Sequence, residues 1–164
     1  MLRMLIHAER VLATPGRGTL YRELLHLACR AGCEAEARVL LVEAGAEVDC
    51  HDEEGVTPLM VACREGHSGL VSLLLEMGAD PCLHDERGRT ALMYAADPRW
   101  AADNVTVVRQ LLSEGRLPLV NARDKEGRTA LWLACQRGRT DMARVSGVGG
   151  ISGICMYVNI TCTT

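Results

Sequence analysis

The sequence predicts an all-α fold, a solenoid of stacked helix–turn–helix units, and three observations carry that prediction. The first is self-similarity. The block from His51 to Gly66 returns from His84 to Ala96 and again from Arg123 to Gly138, with Thr57 to Thr90 spanning 33 residues and Thr90 to Thr129 spanning 39. A unit of this length repeated in one chain cannot bury its own apolar face and must stack on its neighbours. The second is spacing. Leu59, Ala62 and Cys63 stand three and four residues apart, the period of one helical face. The third is composition. The chain is 48% hydrophobic but only 3% aromatic, with no Phe, so Leu, Ala and Val must fill thin layers rather than one bulky centre.

The elements follow in order. Residues 1–17 read as an N-terminal capping helix or degenerate half-repeat, with Leu2, Leu5, Ile6 and Leu12 on one side. Arg3, Arg10 and Arg17 make a mitochondrial presequence the rival reading, and Glu9 counts against it. The repeats are placed at 18–51, 52–84, 85–123 and 124–145, the last of them incomplete. Unit one is irregular at its start and clear from Leu25 to Gly32 and at Leu40-Leu41.

Unit two is the template. Asp52-Glu53-Glu54-Gly55 is turn chemistry, with glycine where a positive φ is cheap. Thr57 is a good N-cap and Pro58 suits the first helical position. Gly66 ends the first helix. A second runs through Leu70, Val71, Leu73, Leu74 and Leu75 to Gly78, and Ala79 to His84 is expected to be extended. Unit three repeats this with about four extra residues between its helices, around Trp100, and about two more near Arg116 to Leu119, both expected as surface loops. Unit four breaks off in its second helix after Val145. Residues 146–164 carry no charge and many glycines and β-branched residues. They are expected to form a disordered tail joined to a truncated form of a larger protein, with an aggregation risk at that end.

The succession Gly-x-Thr-Pro-Leu, then Ala-Cys-x-x-Gly-His, then Leu-Leu-x-x-Gly-Ala-Asp resembles the ankyrin repeat over roughly residues 19–145. The family's histidine two residues after the proline is kept only as His26, with Met60, Met93 and Trp132 in the other units. That histidine ties neighbouring turns by hydrogen bonds, so the resemblance implies that apolar packing takes over part of this role here. It also implies recognition of other proteins through the projecting turns, or β-hairpins, and the exposed side of the first helices, the concave face. The positions concerned are Glu53, Glu54, Val56, Arg64 and Glu65 in unit two, then Glu86, Arg87, Arg89 and Trp100 in unit three. In unit four they are Lys125, Glu126, Arg128, Gln136 and Arg137.

Other chemistries fare worse. His51-Asp52-Glu53 looks like an acid–base cluster, but its return as His84-Asp85-Glu86 marks it as turn sequence copied by duplication. Cys50-His51 and Cys82-x-His84 lack the spacing of a structural zinc site. No phosphate-binding glycine signature occurs. No catalytic residue, metal or cofactor is therefore expected. The net charge of −3 argues against nucleic acid as partner, and no apolar run suits a bilayer. Cys29, Cys63 and Cys135 share one repeat position, where unit three has Ala96, so they read as small buried groups with reduced thiols. That suggests a monomer in the cytoplasm, the nucleus or both. Turn charge grades from −3 over Asp52, Glu53 and Glu54, through zero in unit three, to +1 over Arg123, Asp124, Lys125, Glu126 and Arg128. Such a row steers a partner of opposite gradient. The function expected is a non-catalytic adaptor or scaffold. The alternative is a direct inhibitor that occludes a kinase or transcription factor.

Overall fold

The computed structural model describes residues 17–97, 104–113 and 117–135. The expected cap over 1–17 (Arg17 itself apart), Trp100, the second half of unit four and the tail 146–164 lie outside them. The described helices are α1 (Arg17–Ala31), α2 (Glu34–Val42), α3 (Pro58–Glu65), α4 (Ser68–Glu76), α5 (Ala91–Ala96), α6 (Val105–Ser113), α7 (Leu117–Asn121) and α8 (Ala130–Cys135). The first three units are each a packed helix pair, and the pairs stack in two layers. The first helices α1, α3, α5 and α8 pack in sequence, while α2, α4 and α6 pack behind them.

Unit two shows why the sequence folds this way. Thr57 is extended at φ −92° and its hydroxyl accepts the Met60 N–H at 3.3 Å, a cap worth about 1 kcal/mol. Pro58 fills a position whose N–H would be unpaired in any case. Gly66, left-handed at φ 80°, closes the helix through a bond to the Ala62 carbonyl. Leu59, Ala62, Cys63, Leu70, Val71 and Leu74 are fully buried at the layer boundary, and each large side chain contributes about 2 kcal/mol by leaving water.

Side-chain hydrogen bonds add to this packing, within units and between them. His26 Nε2 lies 3.4 Å from the Cys50 carbonyl, which ties the first helix of unit one to the end of that unit, just ahead of the next turn. At the equivalent position Met60 and Met93 are buried thioethers, and the Met60 sulfur accepts the Thr57 N–H at 3.5 Å. A second tie sits just ahead of each rear helix. The carbonyls of Cys33, His67 and Asn104 accept the N–H four residues on, so the three are equivalent in the repeat. The His67 ring reaches back to the Arg30 carbonyl at 3.3 Å. Asn104 does the same for unit three, donating to the carbonyls of Cys63 at 3.1 Å and Ala95 at 3.2 Å.

Three expectations are corrected. Asn104, read as part of a surface loop, is 0% exposed, because the inserted residues leave it at the histidine's structural position. The insertion near Leu119 is a short helix, α7, whose Leu119 is buried where α7 packs on α8. Ala79 to His84 is not extended throughout. The Cys82 N–H bonds the Asp80 carboxylate at 3.0 Å and makes a tight turn there.

Candidate protein-binding surface

Each projecting turn is a finger built on one aspartate. In unit two the Asp52 Oδ1 accepts the N–H groups of Glu54 at 3.0 Å and Val56 at 2.9 Å. The Asp85 Oδ1 accepts those of Arg87 at 2.9 Å and Arg89 at 2.8 Å, and the Asp124 Oδ1 those of Glu126 at 3.0 Å and Arg128 at 2.8 Å. Backbone bonds close each finger across its base, from Asp52 to Val56, Asp85 to Arg89 and Asp124 to Arg128. The fingers then bond to each other. Glu86 N–H donates to the Glu54 carbonyl and Lys125 N–H to the Arg87 carbonyl, both at 2.9 Å. Gly55 and Gly88 allow that approach. Each has a positive φ, and a Cβ at either would stand 3.1 Å from the backbone nitrogen of the next finger.

The second carboxylate oxygen distinguishes the fingers. The Asp85 Oδ2 accepts from Arg89 Nε at 2.9 Å and from the Tyr94 hydroxyl at 2.8 Å, with the Arg89 guanidinium 4.4 Å from the Tyr94 ring centre. Burial pushes the Asp85 carboxyl up, but the Arg89 N–H, the Tyr94 hydroxyl and the Arg89 guanidinium outweigh it and hold its pKa below the ordinary value. The same burial, with the Asp85 hydrogen bond, raises the Tyr94 hydroxyl. In unit four the Asp124 Oδ2 accepts from Arg128 Nε at 2.8 Å, and Arg128 also meets Glu126 at 2.7 Å. Unit two has Val56 where the others have arginine, and Asp52 stays half-buried.

The fingers put Glu53 and Glu54, Glu86 and Arg87, and Lys125 and Glu126 at exposed tips along one edge. Arg64 and Glu65 are half-buried and pair with each other at 3.0 Å. Two candidates are corrected. Val56 is 4% exposed and packs into the core. Arg89 is 8% exposed and holds Asp85 and Tyr94, so its charge is spent inside the finger rather than offered to a partner. Arg128 is half-exposed but similarly engaged. Trp100, Gln136 and Arg137 lie outside the described residues. Sequence reasoning missed Leu27 and Trp132, which are 59% and 42% exposed on first helices. The arginine at Arg89 and Arg128, set against Val56, was the available signal for the difference between fingers.

The cysteines described, Cys29, Cys33, Cys50, Cys63 and Cys82, are free thiols. Burial first, then the neighbouring Cys50, pushes Cys29 up to about 12, while Cys50 rises to about 11. Thiols so raised are poor nucleophiles at neutral pH. Among the described residues no group of three or more His, Cys, Asp or Glu could hold a metal ion, and no helix is long and apolar enough to cross a membrane.

Helix pairs in two layers, bound edge to edge through Asp-based fingers, define a helical repeat array of the protein-interaction class. Ankyrin repeats match the chain in three overlapping copies, at residues 2–85, 25–115 and 78–145, and the chain belongs to the ankyrin-repeat family. That match reaches residue 2, within the segment read as a cap. The chain is also 34% identical over 120 residues to a transient receptor potential cation channel subfamily A member 1 homolog of Caenorhabditis elegans. The match covers 73% of this chain but 9% of that protein.

Proposed function

We propose that this protein is a non-catalytic adaptor or scaffold that holds another protein against the finger edge and the inner face of the first helices. The observation that carries this reading is the row of exposed charged tips on fingers whose backbones are bonded to one another. Side chains on a rigid, pre-ordered edge lose little entropy on binding, which favours recognition by spaced contacts. Membership of a family whose arrays generally bind proteins supports it. The free thiols support a reducing compartment, cytoplasm or nucleus, as the place of action.

Affinity capture with the whole chain tests it. Reversing Glu53 and Glu54 to lysine should remove captured partners, and native binding should weaken as salt rises. A partner set that ignores both changes would overturn the reading.

A further inference from the structure

Between α1 and the unit-two finger lies a cleft of about 560 Å³ that is open among the described residues. Among its lining residues is Leu27, 59% exposed. In the repeat frame Leu27 corresponds to Val61, Tyr94 and Leu133, all buried. The wall formed by the finger carries Asp52, Glu53 and Glu54, and the helix wall carries Arg22, Glu23, His26 and Arg30.

The later fingers show what the first one lacks. In units three and four the second oxygen of the finger aspartate is closed by a guanidinium from the same finger, Arg89 or Arg128. In unit two Val56 takes that position, so no guanidinium of the finger itself closes the second oxygen of Asp52, and a nearby titratable side chain on the helix wall is His26, whose charged form Asp52 favours. An oriented carboxylate, with one oxygen already held by two backbone N–H groups, therefore lines a cleft that also holds the exposed Leu27.

We propose that this cleft binds a protein segment through one arginine, whose guanidinium caps Asp52 from outside as Arg89 caps Asp85 from within, with a neighbouring aliphatic residue seated on Leu27. The inference rests on the reading of the fingers and first helices as a protein-binding face and names the chemistry that part of it recognises. Charge complementarity selects the occupant. Asp52, Glu53 and Glu54 on the finger, with Glu23 on the helix, outnumber Arg22 and Arg30, so the cleft attracts a cation, and the finger wall is where it meets no opposing arginine. The segment thus meets the finger wall with one arginine and sets neutral or acidic neighbours against Arg22 and Arg30. A lysine is a weaker substitute because it lacks the planar fork that fits a carboxylate.

The test uses the whole chain and a phage library of random short peptides. Selected peptides should share an arginine next to an aliphatic residue. Changing that arginine to lysine should weaken binding about ten-fold. Val56→Arg supplies the missing guanidinium internally and should block the same peptides to at least that degree, as should Asp52→Asn and Leu27→Asp. Circular dichroism melts show which variants stay folded, so loss of one leaves the other two to decide. An empty selection, peptides without a common arginine, or binding indifferent to all folded variants would overturn the proposal. Indifference of the peptides together with partner capture that still depends on Glu53 and Glu54 would sink the arginine cleft alone and leave the wider binding face standing.

Discussion

In the unit-three finger Arg89 and Tyr94 close over Asp85, so the aspartate serves the fold entirely. In the unit-two finger the equivalent Asp52 bonds the same two backbone positions, meets Val56 instead of arginine, and stays half-buried at the edge of a cleft. The backbones are alike and the energetics are not. A buried carboxylate needs its cation, and removing either partner leaves an uncompensated charge in a low-dielectric site. A half-exposed carboxylate is solvated and remains available to a partner. Two positions, Val56 and Val61 against Arg89 and Tyr94, thus separate the finger proposed to recognise a partner from the one closed on itself.

The largest expected effect breaks this comparison directly. Asp85→Ala should cost about 3–5 kcal/mol, because it strands Arg89 and frees two finger N–H groups, whereas Asp52→Ala should cost about 1–2 kcal/mol. Urea denaturation reads both, and equal losses would mean that the fingers are held alike. Next is Asn104→Ala, which removes two bonds to buried carbonyls and should cost about 2 kcal/mol, while Asn104→His should recover part of that loss by imitating His67. A full loss in Asn104→His would deny the equivalence of the two ties.

Smaller still is the glycine pair. Gly88→Ala and Gly127→Ala share a φ of 76°, but only the first places a Cβ against the next finger. Gly127 meets nothing within 4 Å among the described residues. Gly127→Ala should cost about 1 kcal/mol from backbone strain alone and Gly88→Ala roughly twice that. Identical shifts in melting temperature would remove the close finger contact from the account.

The smallest effect is on pH. Burial, only partly offset by the Cys50 carbonyl, lowers the pKa of His26 from 6.5, so the native state resists the proton that the unfolded chain accepts. This contribution is complete above pH 6.5 and is lost as pH falls toward the lower native value. Asp85, with its native pKa depressed, adds stability that is complete above its ordinary value of 3.8 and lost only below it. His26→Gln should flatten the upper of these two steps in a pH series of unfolding midpoints. An unchanged step there would place its origin elsewhere.

The units, their caps and their core positions were legible because they rest on local chemistry repeated in register. Thr57, Pro58 and Gly66 each act within one turn of helix, and Thr129 repeats the cap of Thr57, although Thr90 holds the same position without the cap bond. The ankyrin frame also placed the fingers. It could not tell that Arg89 turns inward, since that depends on Tyr94, five residues away and on the next helix. It missed Asn104 because an insertion hides repeat equivalence, and Leu119 because a leucine in an extra segment gives no period to read. The cleft at Leu27 joins the first helix of one unit to the finger of the next, a tertiary fact without a local mark.

The most direct test of the stack is amide hydrogen exchange at Glu86 and Lys125. Both residues sit at exposed finger tips, and each N–H donates to the preceding finger at 2.9 Å. Units stacked in register predict strong protection of both amides, comparable to the finger bases at Asp85 and Asp124. Exchange at the rate of an open loop at either site would show that the fingers do not bond to one another and would contradict the stacked edge on which the proposed binding face is built.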